Sequence, residues 1–396
     1  MALISRIIGD CPGCGANQSY GLIDVYGTHV AYGCKYCRYW TQRELPKIRK
    51  KILYLDQFFF SHAYRGREDR FIDAANKIAR LAELQLLVVP YSSIHEDETH
   101  QWTERDELLE FIKSTSRGHE FTATYRVEQT QILMAFDRWL AGESDEYQMS
   151  ERDVLRDDIH KWESYFRIDV GSYIGDIDLI RNLKNQTLEG LVSLFDGWRK
   201  SDSAFHDDLQ LELRDAGKMY FDLYMDYAER MAKGDFDALI DSPAASTIMR
   251  SMLHKIENDM SPEQAIEACV RFFVSDHFKQ IPYQQISARI YATLKAMVKE
   301  GAYTNHERTL KRLSGFNFDV NHISHYAPYC DSFIMDQAMA EIVNKPTVGL
   351  SREYGVSVFS LNNWEDLFLW LDSLEKEMTE EHKAGVAEAY PHIALV

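Results

Sequence analysis

The sequence predicts an α/β fold whose parallel sheet is assembled from segments on both sides of a long helical stretch. Four apolar runs have the length of buried strands, and polar or acidic residues follow each; they are residues 52–55, 84–90, 332–335 and 356–359. Open α/β sheets form their sites beyond the carboxyl ends of the strands. We therefore expect the residues that follow these runs to converge on one crevice.

The composition indicates a folded protein with more than one domain. The 396 residues suffice for two or three domains, and 45% of them are apolar. No run approaches the ~20 apolar residues of a membrane span, and the N-terminal apolar segment is too short for a signal peptide. We therefore expect a cytoplasmic protein without a membrane partner.

The charge distribution limits how the chain could bind nucleic acid. A formal net charge of −18 argues against non-specific coating of nucleic acid, because cationic contacts dominate phosphate binding. An enzyme with a local basic rim remains compatible with this charge. Two basic clusters lie beside the predicted site segments, and either could instead be a solvated surface; they are Lys47, Arg49, Lys50 and Lys51, and Arg308, Lys311 and Arg312.

Four of the six cysteines form a metal-binding pattern. Two Cys-x2-Cys pairs are separated by 19 residues and comprise Cys11, Cys14, Cys34 and Cys37. Thiolates on two such turns can surround one tetrahedral Zn²⁺, and the alternating residues 21–33 between them are typical of a hairpin. Residues 1–46 are therefore predicted to be a zinc ribbon. Two disulfides are the alternative, which a cytosolic chain disfavours, and Cys269 and Cys330 are predicted to be buried apolar residues.

The ribbon has two candidate roles. Zinc could simply hold the segment folded, since ~40 residues build little core, and the ribbon could then contact a protein. Alternatively, its aromatic side chains could stack on nucleic-acid bases. The aromatic residues are Tyr20, Tyr26, Tyr32, Tyr36, Tyr39 and Trp40. The sequence leaves both roles open.

Helical segments follow the first two strands. Residues 58–84 carry apolar residues near a 3.6-residue period and are predicted to be helical. After the second strand, Ser92 or Ser93 is predicted to cap another helix. His95 and Glu98 would share one face of that helix.

A helical insertion is predicted to divide the sheet domain. Residues 141–262 mix acids, bases and aromatics without a clear strand. The first part of the sheet domain would then span residues 50–140, and the second part would span residues 263–396. Ser261 followed by Pro262 is typical of a helix start.

The last hundred residues resume the sheet pattern. Asp319 is predicted to open a short helix, and Asp336 lies one residue past the third strand. A helix over residues 337–344 follows. After the fourth strand, an amphipathic helix over residues 364–378 is predicted to cover one face of the sheet.

Clustered carboxylates at the strand ends predict a metal site. Asp56 follows the first strand, Glu98 the second and Asp336 the third, with Asp319 on the preceding helix. Carboxylates in one pocket repel each other, and a hard cation such as Mg²⁺ or Mn²⁺ reverses that balance. Such ions activate water and orient a phosphodiester, which indicates a metal-dependent nuclease. Asp56 or Asp319 taken alone could instead be a helix cap, which is the more common role of such a residue.

Three blocks of the sequence resemble a PIN-like nuclease domain, particularly the bacterial branch with a long helical insertion. They are LYLDQ (53–57), SSIHEDE (92–98) and DVNHISHYAPYCDSFIMDQAMAEIV (319–343), within a resemblance over roughly residues 50–100 and 265–375. The resemblance implies a three-layer α/β/α sandwich that cuts single-stranded RNA with a divalent metal. It also implies that four acids hold the metal, and along the chain these are Asp56, Glu98, Asp319 and Asp336.

Other residues in the matching blocks are auxiliary candidates that could orient ligands, contact phosphate or pack. They are His95, Asp331, His322 and His325, and Asp331 could instead be a turn residue. Glu96 is an alternative to Glu98 as the second acid. An α/β phosphatase would need Asp-x-Asp after the first strand and is excluded, because Gln57 and Phe58 follow Asp56.

The resulting prediction is a Mg²⁺- or Mn²⁺-dependent endoribonuclease that uses water as its nucleophile. The resemblance suggests a toxin or phage-defence effector whose site is restrained by the insertion, a protein partner or a homo-oligomer. The competing hypothesis is a non-catalytic adaptor that keeps a PIN-like fold and binds nucleic acid or protein through the ribbon.

Overall fold

The computed structural model describes most of the chain and contains two separate sheets with helices around the second one. The described residues are 3–100, 102, 104–155, 157–163, 186–238, 243–256 and 260–393. Part of the predicted insertion, residues 164–185, lies outside them. No helix within the described ranges is both long and apolar enough to span a membrane.

The N-terminal sheet is antiparallel and has four strands in chain order. Its strands are β1 (Arg6–Gly9), β2 (Tyr20–Val25), β3 (His29–Cys34) and β4 (Trp40–Glu44). The hairpin predicted between the cysteine pairs is therefore confirmed as β2 and β3. Gly27 has a φ of +71° in the turn between them, a backbone conformation that glycine adopts at little cost.

The second sheet is parallel and is formed by segments far apart in the chain. Its strands are β5 (Lys51–Leu55), β6 (Leu87–Val88), β7 (Ser332–Ile334) and β8 (Ser357–Phe359), in the spatial order β6-β5-β7-β8. All three strand pairs are parallel, as predicted. Leu55, Ile334 and Phe359 are in register, so β5, β7 and β8 end at one edge. β6 has only two residues, where the sequence predicted a longer strand.

The described helices are numbered in chain order, and several of them cover the parallel sheet. They are α1 (Gln57–Arg65), α2 (Asp69–Glu83), α3 (Ser93–Thr99), α4 (Arg105–Thr115), α5 (Thr124–Leu140), α6 (Phe195–Arg199), α7 (Phe205–Ala232), α8 (Pro243–Ile256), α9 (Pro262–Phe273), α10 (Asp276–Lys279), α11 (Pro282–Lys299), α12 (His306–Arg312), α13 (Phe316–Tyr326), α14 (Gln337–Val343), α15 (Leu350–Tyr354), α16 (Trp364–Lys376) and α17 (Glu380–Ala389). Residues 186–193 are also helical.

Both faces of the parallel sheet are covered because the strands are apolar on both sides. Leu53 and Leu55 contribute to a core with α1, α2 and α16. Ile52 and Tyr54 point the other way and contribute to a core with α11 and α13. Alternate side chains of a strand face opposite sides, so one continuous apolar run serves two helical layers. The prediction that the helix at residues 364–378 covers one face is confirmed.

Several helix boundaries follow local signals, and two differ from prediction. Ser261 caps α9, as predicted. Residues 58–84 form two helices, because Gly66 ends α1 in a left-handed conformation with φ of +59°. α13 begins at Phe316 after Gly315, so Asp319 lies in its first turn and does not open the helix.

A separate core joins the helices of the predicted insertion to their neighbours. Ile248 and Met252 of α8 pack with Phe136 of α5 and Phe272 of α9. This core therefore includes residues on both sides of the 141–262 range. Asp208 of α7 also forms ion pairs with Lys295 and Lys299 of α11, each at 2.6 Å.

The N-terminal sheet is docked against the last helix. Val30 and Tyr32 pack against Val386 and Tyr390. The Tyr32 hydroxyl donates a hydrogen bond of 2.5 Å to the Glu388 carboxylate, and Arg43 pairs with the same carboxylate at 2.8 Å. The ribbon is therefore held on the α/β domain by both apolar and polar contacts.

Candidate functional site

The four N-terminal cysteines converge on one point with the geometry of a metal site. Their sulfur atoms all lie within 4.8 Å of one another. Cys11 Sγ and Cys37 Sγ are 3.6 Å apart, and Cys14 Sγ and Cys34 Sγ are 3.8 Å apart. Tetrahedral zinc with Zn–S bonds of ~2.3 Å separates its sulfurs by about 3.8 Å. The donor set and spacing therefore fit zinc, and all six cysteines of the chain are free thiols.

Hydrogen bonds around the sulfurs favour a thiolate at Cys34. The backbone N–H of Tyr36 donates to Cys34 Sγ at 3.3 Å, and that of Tyr39 donates to Cys37 Sγ at 3.4 Å. Burial opposes ionisation of Cys34, but the Tyr36 N–H and the Ser19 hydroxyl lower the pKa of its thiol to about 6. The Tyr39 N–H also acts to lower the pKa of Cys37, but burial and the neighbouring sulfurs raise it to about 12, and they raise that of Cys14 as well. A metal-ligating cysteine must be deprotonated, so a bound cation would have to balance the charge of the other sulfurs.

The second group of candidate residues lies where β5 and β7 end. Asp56 directly follows β5 and caps α1, while Asp336 follows β7 by two residues and caps α14. The Asp56 N–H donates to the Ile334 carbonyl at 2.9 Å, and the Asp336 N–H donates to the Asp56 carboxylate. Parallel pairing thus brings two carboxylates 280 residues apart in sequence to one edge. Asp56 is thus the helix cap that the sequence allowed, and Asp336 is a cap as well.

Asp56 is in an environment that disfavours its charge. Its side chain is only 8% exposed. Burial, followed by the negative charges of Glu98 and Asp336, raises the pKa of this carboxyl to about 8. A shift of this size marks a candidate functional group, because nearby carboxylates cannot all ionise without a cation to balance them.

The structure separates the two candidates for the second acid. Ser92 caps α3, as the sequence allowed. Glu98 acts electrostatically on Asp56 and on Tyr54. Glu96 instead pairs with Lys113 of α4 at 3.1 Å. Glu98 is therefore the acid of α3 that faces the Asp56 edge.

Asp319 reaches the same region from α13. Its charge contributes to the raised pKa of the buried Tyr54 hydroxyl, as do those of Asp56 and Glu98. Its carboxylate lies close to Gly315, where an added Cβ would be 3.0 Å from Oδ2. The four acids surround one edge of the sheet but do not form a compact ligand group. Within the described ranges, only the cysteines form a group of three or more metal-ligating side chains within 4.8 Å.

Two of the auxiliary histidines form a buried network behind the acids. His95 Nδ1 accepts from the Ser92 N–H at 2.9 Å, and His322 Nε2 lies 3.4 Å from the Ser92 hydroxyl. His322 Nδ1 is hydrogen-bonded to the Tyr54 hydroxyl at 2.7 Å. The sequence interpretation had not included Tyr54. Its position two residues before Asp56, on a strand buried on both faces, is the signal that could have indicated it.

The other two auxiliary residues lie elsewhere. His325 stacks on Tyr283 with ring centroids 4.9 Å apart, on the side of the helical core. Asp331 precedes β7, and its carboxylate accepts from the Ile52 N–H at 2.8 Å and from Lys51 at 2.7 Å. It therefore lies at the amino ends of the strands, opposite the edge with Asp56. Both positions are explained by packing and turn structure.

Comparisons of the chain with protein-family models, with curated proteins and with solved structures gave no match.

Proposed function

We propose that the chain is a metal-dependent nuclease that hydrolyses phosphodiester bonds of single-stranded RNA. The observation that carries the proposal is the Asp56 carboxyl, whose pKa is raised to about 8 by burial and by Glu98 and Asp336. A carboxylate held among others at the carboxyl edge of a parallel sheet favours a cation site. The resemblance to PIN-like domains adds the nuclease assignment and the sandwich fold.

The proposed site would hold Mg²⁺ or Mn²⁺ through Asp56, Glu98 and Asp336, with Asp319 at its border. Such an ion supplies charge neutralisation and an activated water. The chain itself fixes the carboxylates: β5 and β7 position Asp56 and Asp336, and α3 positions Glu98. The hydrogen bonds that cap α1 and α14 limit the rotation of two of these side chains.

We assign zinc to the four cysteines as a structural ion, since they have no open position for a substrate when all four bind. A toxin or phage-defence role would fit an RNA-cutting enzyme that a cell must restrain. Helices of the insertion, a protein partner or a second copy of the chain would provide that restraint.

The alternative function is a non-catalytic adaptor, and the surface of the ribbon favours it. Tyr36 is 70% exposed, and Trp40 and Tyr26 are each about half exposed. Tyr20 and Tyr32 are buried instead, so only part of the aromatic set is available to a partner. Exposed aromatic rings can stack on bases or dock on a protein.

Cleavage of a labelled single-stranded RNA, and of DNA of the same sequence, tests the proposal. The reactions contain Mn²⁺, Mg²⁺ or EDTA. We expect metal-dependent cutting of RNA by the wild type and its loss in Asp56→Asn and Asp336→Asn. Asp331→Asn is the matched control, because this carboxylate lies at the opposite edge of the same sheet. Thermal unfolding of each variant checks that it is folded.

Two results would contradict the proposal. Cutting that persists in both Asp56→Asn and Asp336→Asn would place the chemistry elsewhere. Absence of cutting by the wild type, together with Mn²⁺ affinity that is unchanged in Asp56→Asn, would favour the adaptor.

A further inference from the structure

A cavity of about 310 Å³ lies beside the proposed acid site and has a basic lining. Its walls include Tyr303, Asn305, Arg308, Arg312 and Glu341, and we call it the arginine pocket. Its two cationic residues, Arg308 and Arg312, belong to a basic cluster that the sequence had indicated. None of its lining residues belongs to the proposed acid set.

The arginine pocket is joined to the acid site through two helices. Glu341 lies on α14, which Asp336 caps, and five residues of helix correspond to about 7.5 Å along the axis. Arg312 ends α12, which leads through a short turn into α13 with Asp319. Burial raises the pKa of Tyr303, and the charge of Asp336 contributes to this increase. The pocket is therefore within electrostatic reach of Asp336.

The two arginines present positive charge in a strongly acidic chain. Arg308 is exposed and has no ion-pair partner among the described residues. Arg312 pairs with Glu341, and its guanidinium carbon lies 6.0 Å from the centre of the Tyr303 ring. A guanidinium group presents several N–H donors in a plane and suits a phosphate better than an isolated surface charge does.

The backbone beside the arginines is held in an unusual conformation. Tyr303 has a φ of +59°, in the left-handed region that residues with a side chain rarely adopt. Its carbonyl accepts hydrogen bonds from Arg199 at 2.6 Å and from the Thr309 hydroxyl at 3.2 Å. Asn305 also caps α12 by accepting from the Arg308 N–H at 2.9 Å. These contacts fix the wall of the pocket from which the arginines project.

We propose that the arginine pocket binds a backbone phosphate of the single-stranded nucleic acid, adjacent to the bond that is cut. This inference rests on the proposed function, since it places the strand between the acids and the arginines. Arg308 and Arg312 would hold the phosphate, and Glu341 would weaken its binding by repulsion. The net charge of −18 makes such a local site necessary for binding a polyanion.

Binding under non-cleaving conditions tests the pocket separately from catalysis. Fluorescence anisotropy measures the Kd of a labelled single-stranded RNA, and of DNA of the same sequence, for the full chain at several salt concentrations. EDTA or Ca²⁺ replaces the catalytic ions. We compare the wild type with Arg308→Ala/Arg312→Ala and with Glu341→Gln. Arg271→Ala is the matched control, because Arg271 is an exposed arginine at the end of α9 that does not line the pocket.

The double variant is expected to bind both probes at least about tenfold more weakly, because charge-assisted contacts are lost. The slope of log K against log salt should fall in magnitude by about 0.7, because the two arginines together neutralise one phosphate of a single strand. Glu341→Gln should bind more tightly than the wild type, and Arg271→Ala should be unchanged.

The outcomes separate the pocket from the proposed activity. If the double variant keeps the affinity and the salt slope of the wild type, the proposal that the pocket binds phosphate is overturned, even if RNA is cleaved. Failure of the wild type to bind either probe, in both EDTA and Ca²⁺, would also overturn it. Binding that depends on the arginines, in a chain that cuts nothing and whose Mn²⁺ affinity is unchanged in Asp56→Asn, would support phosphate binding at the pocket and reject the nuclease.

Discussion

His95 Nε2 donates a hydrogen bond of 2.8 Å to the carbonyl oxygen of Leu55, the last residue of β5. Its other ring nitrogen accepts from the Ser92 N–H, so the imidazole is neutral with its proton on Nε2. Burial, which disfavours the charged ring, lowers the pKa of His95 to about 4. Asp56 directly follows Leu55, so this buried ring supports the backbone that presents the central carboxylate.

We expect His95→Ala to weaken the acid site without removing one of its acids. The substitution leaves the Leu55 carbonyl and the Ser92 N–H without their buried partner, which should cost roughly 2–4 kcal/mol of stability. Mn²⁺ affinity should fall by about tenfold or more, as for partners that orient metal ligands. Calorimetric Mn²⁺ titration and chemical unfolding measure the two effects. His206→Ala is the control, because His206 is an exposed histidine of α7, and it should change neither the stability nor the Mn²⁺ affinity. Unaltered Mn²⁺ affinity in His95→Ala would reject the positioning role of His95.

Asp56 should make the metal-free protein less stable as the pH rises. Its folded pKa is about 8 against an ordinary 3.8, so between these values the folded chain holds a proton that the unfolded chain releases. The free energy of unfolding therefore falls with rising pH across this window. His95 has the opposite effect below its ordinary pKa of 6.5, and so does Cys34 between its folded pKa of about 6 and its ordinary 9.0. The contribution of Asp56 is therefore the difference in slope between the wild type and Asp56→Asn over pH 6.5–8.

Asp56→Asn should remove this pH dependence. Without added Mg²⁺ or Mn²⁺ at pH 8, the substitution should raise the free energy of unfolding by on the order of 2 kcal/mol. This is less than the whole pKa shift would give at ~1.36 kcal/mol per pKa unit, because Glu98 and Asp336 share the repulsion. Urea unfolding from pH 6.5 to 8 provides the measurement. Asp331→Asn should keep the wild-type slope, and the same slope in Asp56→Asn would show that another group titrates.

Glu98 and Glu96 offer a matched pair of substitutions on one helix. Glu98→Gln should weaken Mn²⁺ binding by at least about tenfold and bring the pKa of Asp56 down, because it removes the strongest negative neighbour. Glu96→Gln removes only a pair with Lys113 at 3.1 Å and should leave both quantities unchanged. Mn²⁺ titrations and the pH dependence of unfolding test this pair. Equal effects of the two substitutions would contradict the orientation of α3.

Removal of zinc should unfold the ribbon selectively. Cys14→Ser or a strong chelator should reduce bound zinc from one ion per chain to much less than one, because structural zinc supplies folding free energy on the order of 10 kcal/mol. Metal analysis and limited proteolysis of residues 3–46 measure these changes. The parallel sheet has its own cores and should remain folded. Cys269→Ala is the control; a full zinc content in Cys14→Ser would reject the four-cysteine site.

The sequence by itself determined the elements that rest on local patterns. Cys-x2-Cys spacing predicted the cysteine cluster, since two tight turns bring the sulfurs together without help from the rest of the chain. Continuous apolar runs predicted the parallel strands, and Ser261 with Pro262 predicted the start of α9. Each of these patterns involves only a few adjacent residues. The sequence could therefore predict the corresponding structural element without information on the rest of the fold.

Tertiary structure alone decided which acids face one another. Glu96 and Glu98 are two residues apart and similar in sequence context, and only packing of α3 against α4 directs Glu96 to Lys113. Asp331 and Asp336 flank one strand, yet β7 separates them to opposite edges of the sheet. The raised pKa of Asp56 likewise depends on burial and on charges from distant segments. Electrostatic coupling depends on distance in space, which sequence separation does not fix.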